Sequence, residues 1–337
     1  MREERRILVI GSDGCLASGF VGLCDILSLA SRAITERHGS APYEVVSASL
    51  DGGFVRDGHS RQFAVDLALR EVDRCDALIV PGFLPDAGNR PPDMAPLKEI
   101  AGLIRNHHAH GALACGSCSG VFLLGEAGLL DGHRCTTTWW LHDELKSCYP
   151  RADALWGTAL VEDRRVVTAG GPFSWTDLAL YVVRSLCGTE AARTAADFAV
   201  VDTAPSSQAV YIPANHLNAS SPFLVEAERI VRQSADRLVT ARDLARRLAT
   251  SERTLHRRLS GATGESPKQF IDRIRFGMAK TALEMTTKSI GEIAATAGYN
   301  DEGSFRRVFT KLSGMSPRAY RRWVRERGIR DDTPESA

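Results

Sequence analysis

The sequence lacks several features that would assign the protein to a specialised class. No apolar run approaches the roughly 18 to 20 residues that a membrane-spanning helix needs. The charged start MREERRILVI leads into a strand pattern and not into a signal peptide. The eight cysteines have no regular spacing of the kind that a disulfide framework shows. We therefore expect a cytoplasmic protein that contacts no membrane.

A large net charge is also absent, because the 337 residues carry a formal charge of +1. This balance hides a separation between two regions. Residues 1–220 contain 19 Lys and Arg against 26 Asp and Glu, whereas residues 221–330 contain 23 against 12. All eight cysteines lie before residue 190. A basic C-terminal third that follows an acidic body predicts a polyanionic partner for that third alone.

The C-terminal third contains an internal repeat with an offset of about 50 residues. Each copy has the apolar spacing of a short helix, a tight turn and a second helix, which is helix-turn-helix patterning. Ser251 and Asp301 are predicted to cap the two second helices. Between the copies, PKQFIDRIRFGMAKTALEM predicts one long helix that holds the units at a fixed separation. The repeat pairs Leu255 with Phe305, Arg257 with Arg307, Gly264 with Gly314, and Phe270 with Tyr320.

The second helix of each copy presents polar and basic side chains once its apolar face is turned inward. Arginine is suited to bidentate contact with guanine in the major groove, and glutamate can accept a hydrogen bond from the cytosine amino group. Two copies with arginine at matching positions therefore predict double-stranded DNA as a partner. The predicted DNA-binding residues are Arg253, His256, Arg257, Glu302, Ser304, Arg306, Arg307 and Lys311.

The second copy carries a longer signature, made of Ile293, Gly298, Tyr299, Phe305, Arg307, Phe309, Gly314, Ser316, Pro317 and Tyr320. With this signature, residues 222–327 resemble the AraC/XylS family of bacterial transcription regulators. The resemblance implies that residues 252–259 and 302–311 are recognition helices that enter successive major grooves. It also implies a homodimer on paired sites, with RNA polymerase as a further partner.

The first two thirds of the chain alternate between two patterns. The runs RRILVIG, YEVVSAS, ALIVPG and GALAC read as buried strands, and the segments between them have helical spacing. We expect an α/β domain with a flavodoxin-like parallel sheet and helices on both faces. A hairpin turning at residues 162–164 and a closing helix in FSWTDLALYVVRSLCG complete it. The predicted divisions are a sensor domain at 1–200, a linker at 201–221, a DNA-binding domain at 222–327 and a disordered tail at 328–337.

The segment CGSCSG stands where an apolar strand turns into a helix. Gly116, Cys118 and Gly120 form the G-x-C-x-G version of a nucleophile elbow, whose strained turn needs small neighbours. A thiol at the start of a helix is expected to have a lowered pKa, because the helix dipole favours the thiolate. The motif therefore raises the question of whether Cys118 is a nucleophile.

The longer segment GSCSGVFLLGEAGLLDGHRCTTTWW resembles the elbow region of PfpI/ThiJ-like domains in the class I glutamine amidotransferase-like superfamily. Residues 5–327 together resemble the GlxA family, in which such a domain is fused to an AraC-type domain. The resemblance places a histidine about twenty residues after the cysteine, where this chain has Thr138, and an acid near Ser18 to Phe20, where it has none.

We therefore predict a degenerate site that senses a small-molecule effector, with no enzymatic activity, no cofactor and no metal. The predicted effector-binding residues are Gly82, Phe83, Cys118, Ser119, Thr138, Trp139 and Trp140. For the two tryptophans, core packing is an equally good interpretation.

Two alternatives remain open at this point. One is a cysteine hydrolase or amidase with a DNA-binding domain, in which His142 replaces the missing base. The other is a redox-switched regulator that uses Cys115 and Cys118, although a Cys115 that ends a buried strand would point away from the pocket. Zinc is not expected, because no second C-x-x-C partners this pair. The cluster NHHAH, with His107, His108 and His110, is expected to be solvated.

Overall fold

The chain forms two compact units, residues 1–208 and residues 209–337. The computed structural model describes residues 5–86, 90–201, 208, 222–234, 239–263, 265–299 and 301–326. Apart from Val201 and Gln208, the predicted linker lies outside the described residues, and the predicted tail lies outside them entirely.

In the part of the first unit that the structure describes, a central seven-stranded sheet is accompanied by two small two-stranded sheets. The strands, in chain order, are β1 (Arg6–Ile10), β2 (Glu44–Ser49), β3 (Val55–Arg56), β4 (Gln62–Phe63), β5 (Leu67–Ala68), β6 (Ala77–Val80), β7 (Leu113–Ser117), β8 (Arg134–Cys135), β9 (Asp153–Ala154), β10 (Leu160–Asp163) and β11 (Val166–Ala169). The central sheet has the order β10-β11-β7-β6-β1-β2-β5. Its pairs are all parallel except β10 with β11.

The central strands are apolar because both faces of the sheet are covered. Every residue of β6, β7 and β11 is buried, as expected for parallel strands between two helical layers. The four runs predicted as strands are β1, β2, β6 and β7, so this part of the prediction is confirmed. The hairpin is confirmed as well, but its turn lies at Arg164 and Arg165, which have φ of 49° and 67°.

Six helices of the first unit surround the sheet among the described residues. They are α1 (Ala17–His38), α2 (Lys98–Ala109), α3 (Val121–Glu126), α4 (His142–Cys148), α5 (Trp175–Cys187) and α6 (Thr189–Ala199). Helices α1, α5 and α6 pack against one another, while α2 and α3 pack together and against β7. The predicted closing helix is α5, and the sequence did not reveal that α6 follows it.

Helix α1 corrects one expectation from the sequence. Its segment Ala17–Arg37, with a mean hydropathy of 1.3, is long and apolar enough to cross a membrane by length and composition. In the structure α1 packs against α5, α6, β1 and β2. The apolar composition is therefore explained by its place in the core of an α/β unit.

The second unit is helical and contains both predicted helix-turn-helix pairs. Its described residues form the helices α7 (Pro222–Gln233), α8 (Ala241–Arg247), α9 (Glu252–Thr263), α10 (Pro267–Met285), α11 (Ile290–Thr296), α12 (Glu302–Ser313) and α13 (Pro317–Glu326). Helices α8 and α9 form the first pair, and α11 and α12 form the second. The single long helix α10 contacts helices of both pairs, which confirms its predicted role as the connection.

Side-chain caps start both second helices as predicted. Ser251 Oγ accepts a hydrogen bond from the Thr254 N–H at 3.1 Å. Asp301 Oδ1 accepts one from the Ser304 N–H at 2.7 Å. Each bond satisfies a backbone donor that has no partner inside its helix. The caps therefore fix where α9 and α12 begin.

An aromatic cluster holds the second helix-turn-helix pair on α10. The Phe309 ring lies 4.8 Å from that of Phe276 and 5.5 Å from those of Phe305 and Tyr320, measured between centroids. All four side chains are buried. Because α12 contributes Phe305 and Phe309, this cluster determines which face of α12 remains exposed.

Candidate effector site and DNA-binding surface

The turn from β7 into α3 has the geometry of the predicted elbow. Cys118 has a φ of 53°, in the left-handed region that a residue with a side chain seldom adopts. A Cβ on Gly120 would lie 2.4 Å from the Pro81 carbonyl oxygen and 2.7 Å from that of Val80. Gly120 is therefore required by the close approach of the end of β6 and the loop that follows it.

That loop is tied directly to the elbow. Ser119 Oγ accepts a hydrogen bond from the Phe83 N–H at 2.8 Å and donates one to the Phe83 carbonyl at 3.2 Å. A Cβ on Gly82 would lie 3.0 Å from the Cβ of Cys118. The structure thus brings together four predicted effector-site residues, Gly82, Phe83, Cys118 and Ser119, and all four are buried.

The segment Thr137 to Trp140 also reaches the elbow. The Thr137 hydroxyl donates a hydrogen bond to the Cys118 carbonyl at 2.7 Å. Thr138 is fully buried, whereas Trp139 and Trp140 are half-buried and meet edge to face with centroids 5.1 Å apart. Thr138, which stands where the resemblance places a histidine, is therefore next to Thr137, which is hydrogen-bonded to the elbow.

The electrostatics of Cys118 contradict one prediction. Burial raises the pKa of the Cys118 thiol to about 11, and hydrogen bonding by Ser119 offsets this only in part. The side chain is 3% exposed, so desolvation of the thiolate outweighs the dipole of the short helix α3. Cys118 is a neutral thiol in this environment and not the activated thiolate that the helix position led us to expect.

His142 is a poor substitute for the missing base. It begins α4 and is buried, and burial together with the charge of Lys146 lowers the pKa of His142 to about 4. Its Nε2 has no hydrogen-bond partner, so this nitrogen does not hold the Cys118 thiol. At the expected base position the Thr138 hydroxyl also lacks a partner. Neither His142 Nε2 nor the Thr138 hydroxyl is therefore hydrogen-bonded to Cys118 as the base of a nucleophilic mechanism would be.

The other candidate clusters are placed as follows. Cys115 is fully buried within β7, and both Cys115 and Cys118 are free thiols. Burial raises the pKa of Cys115, which agrees with a strand residue that points into the core.

The prediction of a solvated histidine cluster is wrong for His107, which lies on the buried side of α2, and burial lowers the pKa of His107. Among the described residues no group of three or more His, Cys, Asp or Glu could hold a metal ion.

Sequence reasoning missed a set of buried polar atoms in the first unit that have no hydrogen-bond partner in the described structure. They are Ser117 Oγ, Thr138 Oγ1, Trp140 Nε1, His142 Nε2 and Trp175 Nε1. Trp175 lies close to Pro81 of the loop that follows β6, because a Cβ on Gly19 would lie 3.6 Å from the Trp175 ring and 3.1 Å from Pro81. Only the composition TTTWW hinted at such a set.

The predicted DNA-binding residues lie on α9 and α12. Arg253, His256 and Arg257 are exposed on α9, as are Arg306, Arg307 and Lys311 on α12. On α12 two further predicted residues orient the arginines. Glu302 forms an ion pair with Arg306, and Ser304 Oγ accepts a hydrogen bond from Arg307 Nη2 at 2.8 Å. The two exposed basic faces match the surface expected of paired recognition helices.

Comparison with known families agrees with this architecture. Residues 5–185 match the DJ-1/PfpI family, and residues 244–322 match a helix-turn-helix domain family. Two similar proteins from Pseudomonas aeruginosa are the HTH-type transcriptional regulators ArgR, 29% identical over 67% of each chain, and CdhR, 26% identical over 90% of this chain and 88% of the relative. The HTH-type transcriptional regulator GlxA of Rhizobium meliloti is 25% identical over 86% of this chain and 89% of its own.

Among solved structures, an AraC family transcriptional regulator from Pseudomonas putida is 24% identical, with a TM-score of 0.49 over 58% of this chain and 99% of that one. Drosophila melanogaster DJ-1beta is 22% identical, also with a TM-score of 0.49, over 59% and 99%. The family matches span both units of the fold. The chain therefore belongs to the DJ-1/PfpI family and, through its AraC-type helix-turn-helix domain, is a DNA-binding transcription regulator.

Proposed function

We propose that the first unit of this regulator binds a small-molecule effector beside the elbow and does not turn it over. The observation that carries the proposal is a set of five buried polar atoms without partners in the first unit, of which Ser117 precedes Cys118 and Thr138 follows the Thr137 that bonds the Cys118 carbonyl. A buried donor without a partner is destabilising by about 1 to 3 kcal/mol, so native proteins retain few of them. A ligand that bonds to these atoms would remove that penalty.

The chemistry of these atoms indicates the class of effector. The indole N–H groups of Trp140 and Trp175 are donors only, and the Thr138 hydroxyl can also donate. Such a set suits a ligand with carbonyl or carboxylate oxygens. The indole faces of Trp139 and Trp140 suit an apolar or cationic group on the same ligand. Amino acids, amides and carboxylated quaternary amines are therefore the compounds to screen.

Thr138→Val tests the site, because it removes an unpaired hydroxyl at nearly constant shape. Without effector we expect the unfolding free energy to rise by about 1 kcal/mol, because the substitution removes a buried hydroxyl that has no partner. An effector at a hundred times its Kd stabilises the wild type by about 2.7 kcal/mol, and we expect the variant to lose about 1 kcal/mol of this gain. Thermal unfolding with and without each compound measures both quantities.

Thr136→Val is the matched control, because the Thr136 hydroxyl donates to the carbonyls of Leu155 at 3.1 Å and Thr158 at 2.8 Å. It should lower stability equally with and without effector. If no compound of these classes shifts the melting temperature or the DNA affinity of the wild type, the proposed effector site is contradicted.

We infer further that Cys118 is a remnant of a nucleophile. Cys118→Ala should leave the affinity for DNA within about twofold of the wild type, because the thiol is neutral and no base accompanies it. The purified protein should show no multiple-turnover hydrolysis of amides, esters or glyoxals above background. Steady turnover that disappears in Cys118→Ala would restore the hydrolase alternative, and His142→Asn would then test the base.

The response of DNA affinity to an oxidant distinguishes this proposal from the redox-switch alternative. Cys115 and Cys118 are both buried, so neither thiol is presented to an oxidant in solution. We expect DNA affinity to be insensitive to mild peroxide. A reversible loss of affinity that Cys115→Ser and Cys118→Ala both abolish would assign a redox switch instead.

The remaining partners follow from the DNA-binding role. We propose that the regulator is a cytoplasmic homodimer, since two copies double the contacts with paired DNA sites. Contact with RNA polymerase belongs to the same proposal.

A further inference from the structure

Gln208, the last residue of the first unit, has a side chain buried within that unit. Its Nε2 donates to the carbonyls of Thr137 at 2.9 Å and Thr158 at 2.7 Å. Its Oε1 accepts from the Trp139 N–H at 3.0 Å. Both amide protons and the amide oxygen are thus satisfied by backbone groups, and two of the three bonds go to the segment that contacts the elbow.

The protein leaves a specific space for this amide. A Cβ on Gly170 would lie 1.8 Å from Gln208 Nε2 and 2.5 Å from Gln208 Cδ. Residue 170 must therefore be glycine while the amide is in place. The backbone N–H of Gln208 also donates to the Gly157 carbonyl at 3.1 Å, which fixes the main chain as well as the side chain.

We propose that Gln208 is a positioning residue that couples the effector site to the DNA-binding unit. The chain passes from Gln208 directly to residue 209, where the second unit begins. The backbone of Thr137 and Trp139 holds Gln208, and the Thr137 hydroxyl holds the Cys118 carbonyl. An effector that displaces this backbone changes the hydrogen bonds that fix the start of the connection. The inference rests on the proposed function, because it takes Thr138 to Trp140 as the effector-binding segment.

Hydrogen exchange in the full-length protein tests the contact. The Trp139 amide donates to Gln208, so Gln208→Ala should speed its exchange by about tenfold or more. Gln208→Glu should act in the same direction, because it sets a carboxylate oxygen against the carbonyls of Thr137 and Thr158. Gln62→Ala, at an exposed glutamine of the same unit, is the control and should leave this exchange unchanged. Unchanged exchange in both Gln208 variants would overturn the proposal.

DNA affinity tests the coupling. If Gln208 had only a structural role, its replacement would not alter the effect of a Trp139 substitution on the affinity for DNA. The probe is a DNA fragment from upstream of the protein's own gene. Trp139→Ala should change the Kd of the full chain by about threefold or more when Gln208 is present, and by less than about 1.5-fold in a Gln208→Ala background. Equal factors in the two backgrounds, including no change in either, would overturn the coupling. Specific binding by all variants in that case would show that the DNA-binding function stands and that only the coupling has failed.

Discussion

Arg307→Ala is expected to weaken specific DNA binding by about 1 to 3 kcal/mol and to relax base preference in one half of the site. Arg257→Ala should do the same in the other half. Both side chains are exposed at matching positions of α9 and α12, and the Ser304 hydroxyl orients Arg307. Binding titrations against a library of operator variants measure the affinity and the preference at each base pair.

Arg229→Ala is a matched control in the same unit, since Arg229 is exposed on α7 and forms an ion pair with Glu226. It should leave base preference unchanged. If Arg257 or Arg307 contacted only a phosphate, its replacement would weaken binding to all sequences equally. It would also reduce the slope of log K against log salt concentration by about one unit. If Arg257→Ala and Arg307→Ala both weaken all sequences equally, the assignment of these arginines to base recognition is wrong.

Phe309→Ala is expected to destabilise the second helix-turn-helix pair by about 3 to 5 kcal/mol. The ring is buried and packs against three other aromatic rings, so its removal leaves a cavity that helices pinned to α10 cannot close. Because α12 turns its basic face outward by burying this side chain, specific DNA binding should be lost as well. Urea denaturation followed by hydrogen exchange in α10 to α13 measures the change in the unfolding free energy of the second unit.

Met285→Ala is the control for this substitution, because Met285 is 66% exposed at the end of α10. It should change stability by less than about 0.5 kcal/mol. A loss of less than about 1 kcal/mol in Phe309→Ala would show that the aromatic cluster does not hold α12 in place.

The fold could be predicted where one local pattern decides the structure. Buried parallel strands are continuous apolar runs, and the repeated spacing indicates two copies of one helix-turn-helix unit. Helix α6 was missed because TEAARTAADFA buries small alanines against α1 and α5, and so lacks the large apolar residues that mark an amphipathic face. Residue 107 was misassigned for a related reason, because composition alone does not show which side of α2 faces the core.

The candidate site was predictable in outline but not in its chemistry. Small residues around Cys118 indicated the strained turn, and Gly120 among them permits the close approach of Pro81. The direction of the pKa shift of Cys118 depended on its burial, which neighbouring segments determine. Gln208 stood in a stretch rich in Ser, Pro and Asn, and its partners are 50 to 71 residues away in sequence. Contacts of that range leave no local signal.

The 19-residue helix α10 has a consequence for the promoters that this regulator can use. At 1.5 Å per residue it is about 28 Å long, comparable to the roughly 34 Å between successive major grooves on one face of DNA. A base pair inserted between the two DNA segments that the helix-turn-helix pairs of one chain contact moves the second segment by about 3.4 Å and turns it by about 34°. A rigid helix cannot follow that rotation. Point mutations in the spacer should therefore accumulate freely during evolution, whereas single-base insertions and deletions there should be eliminated.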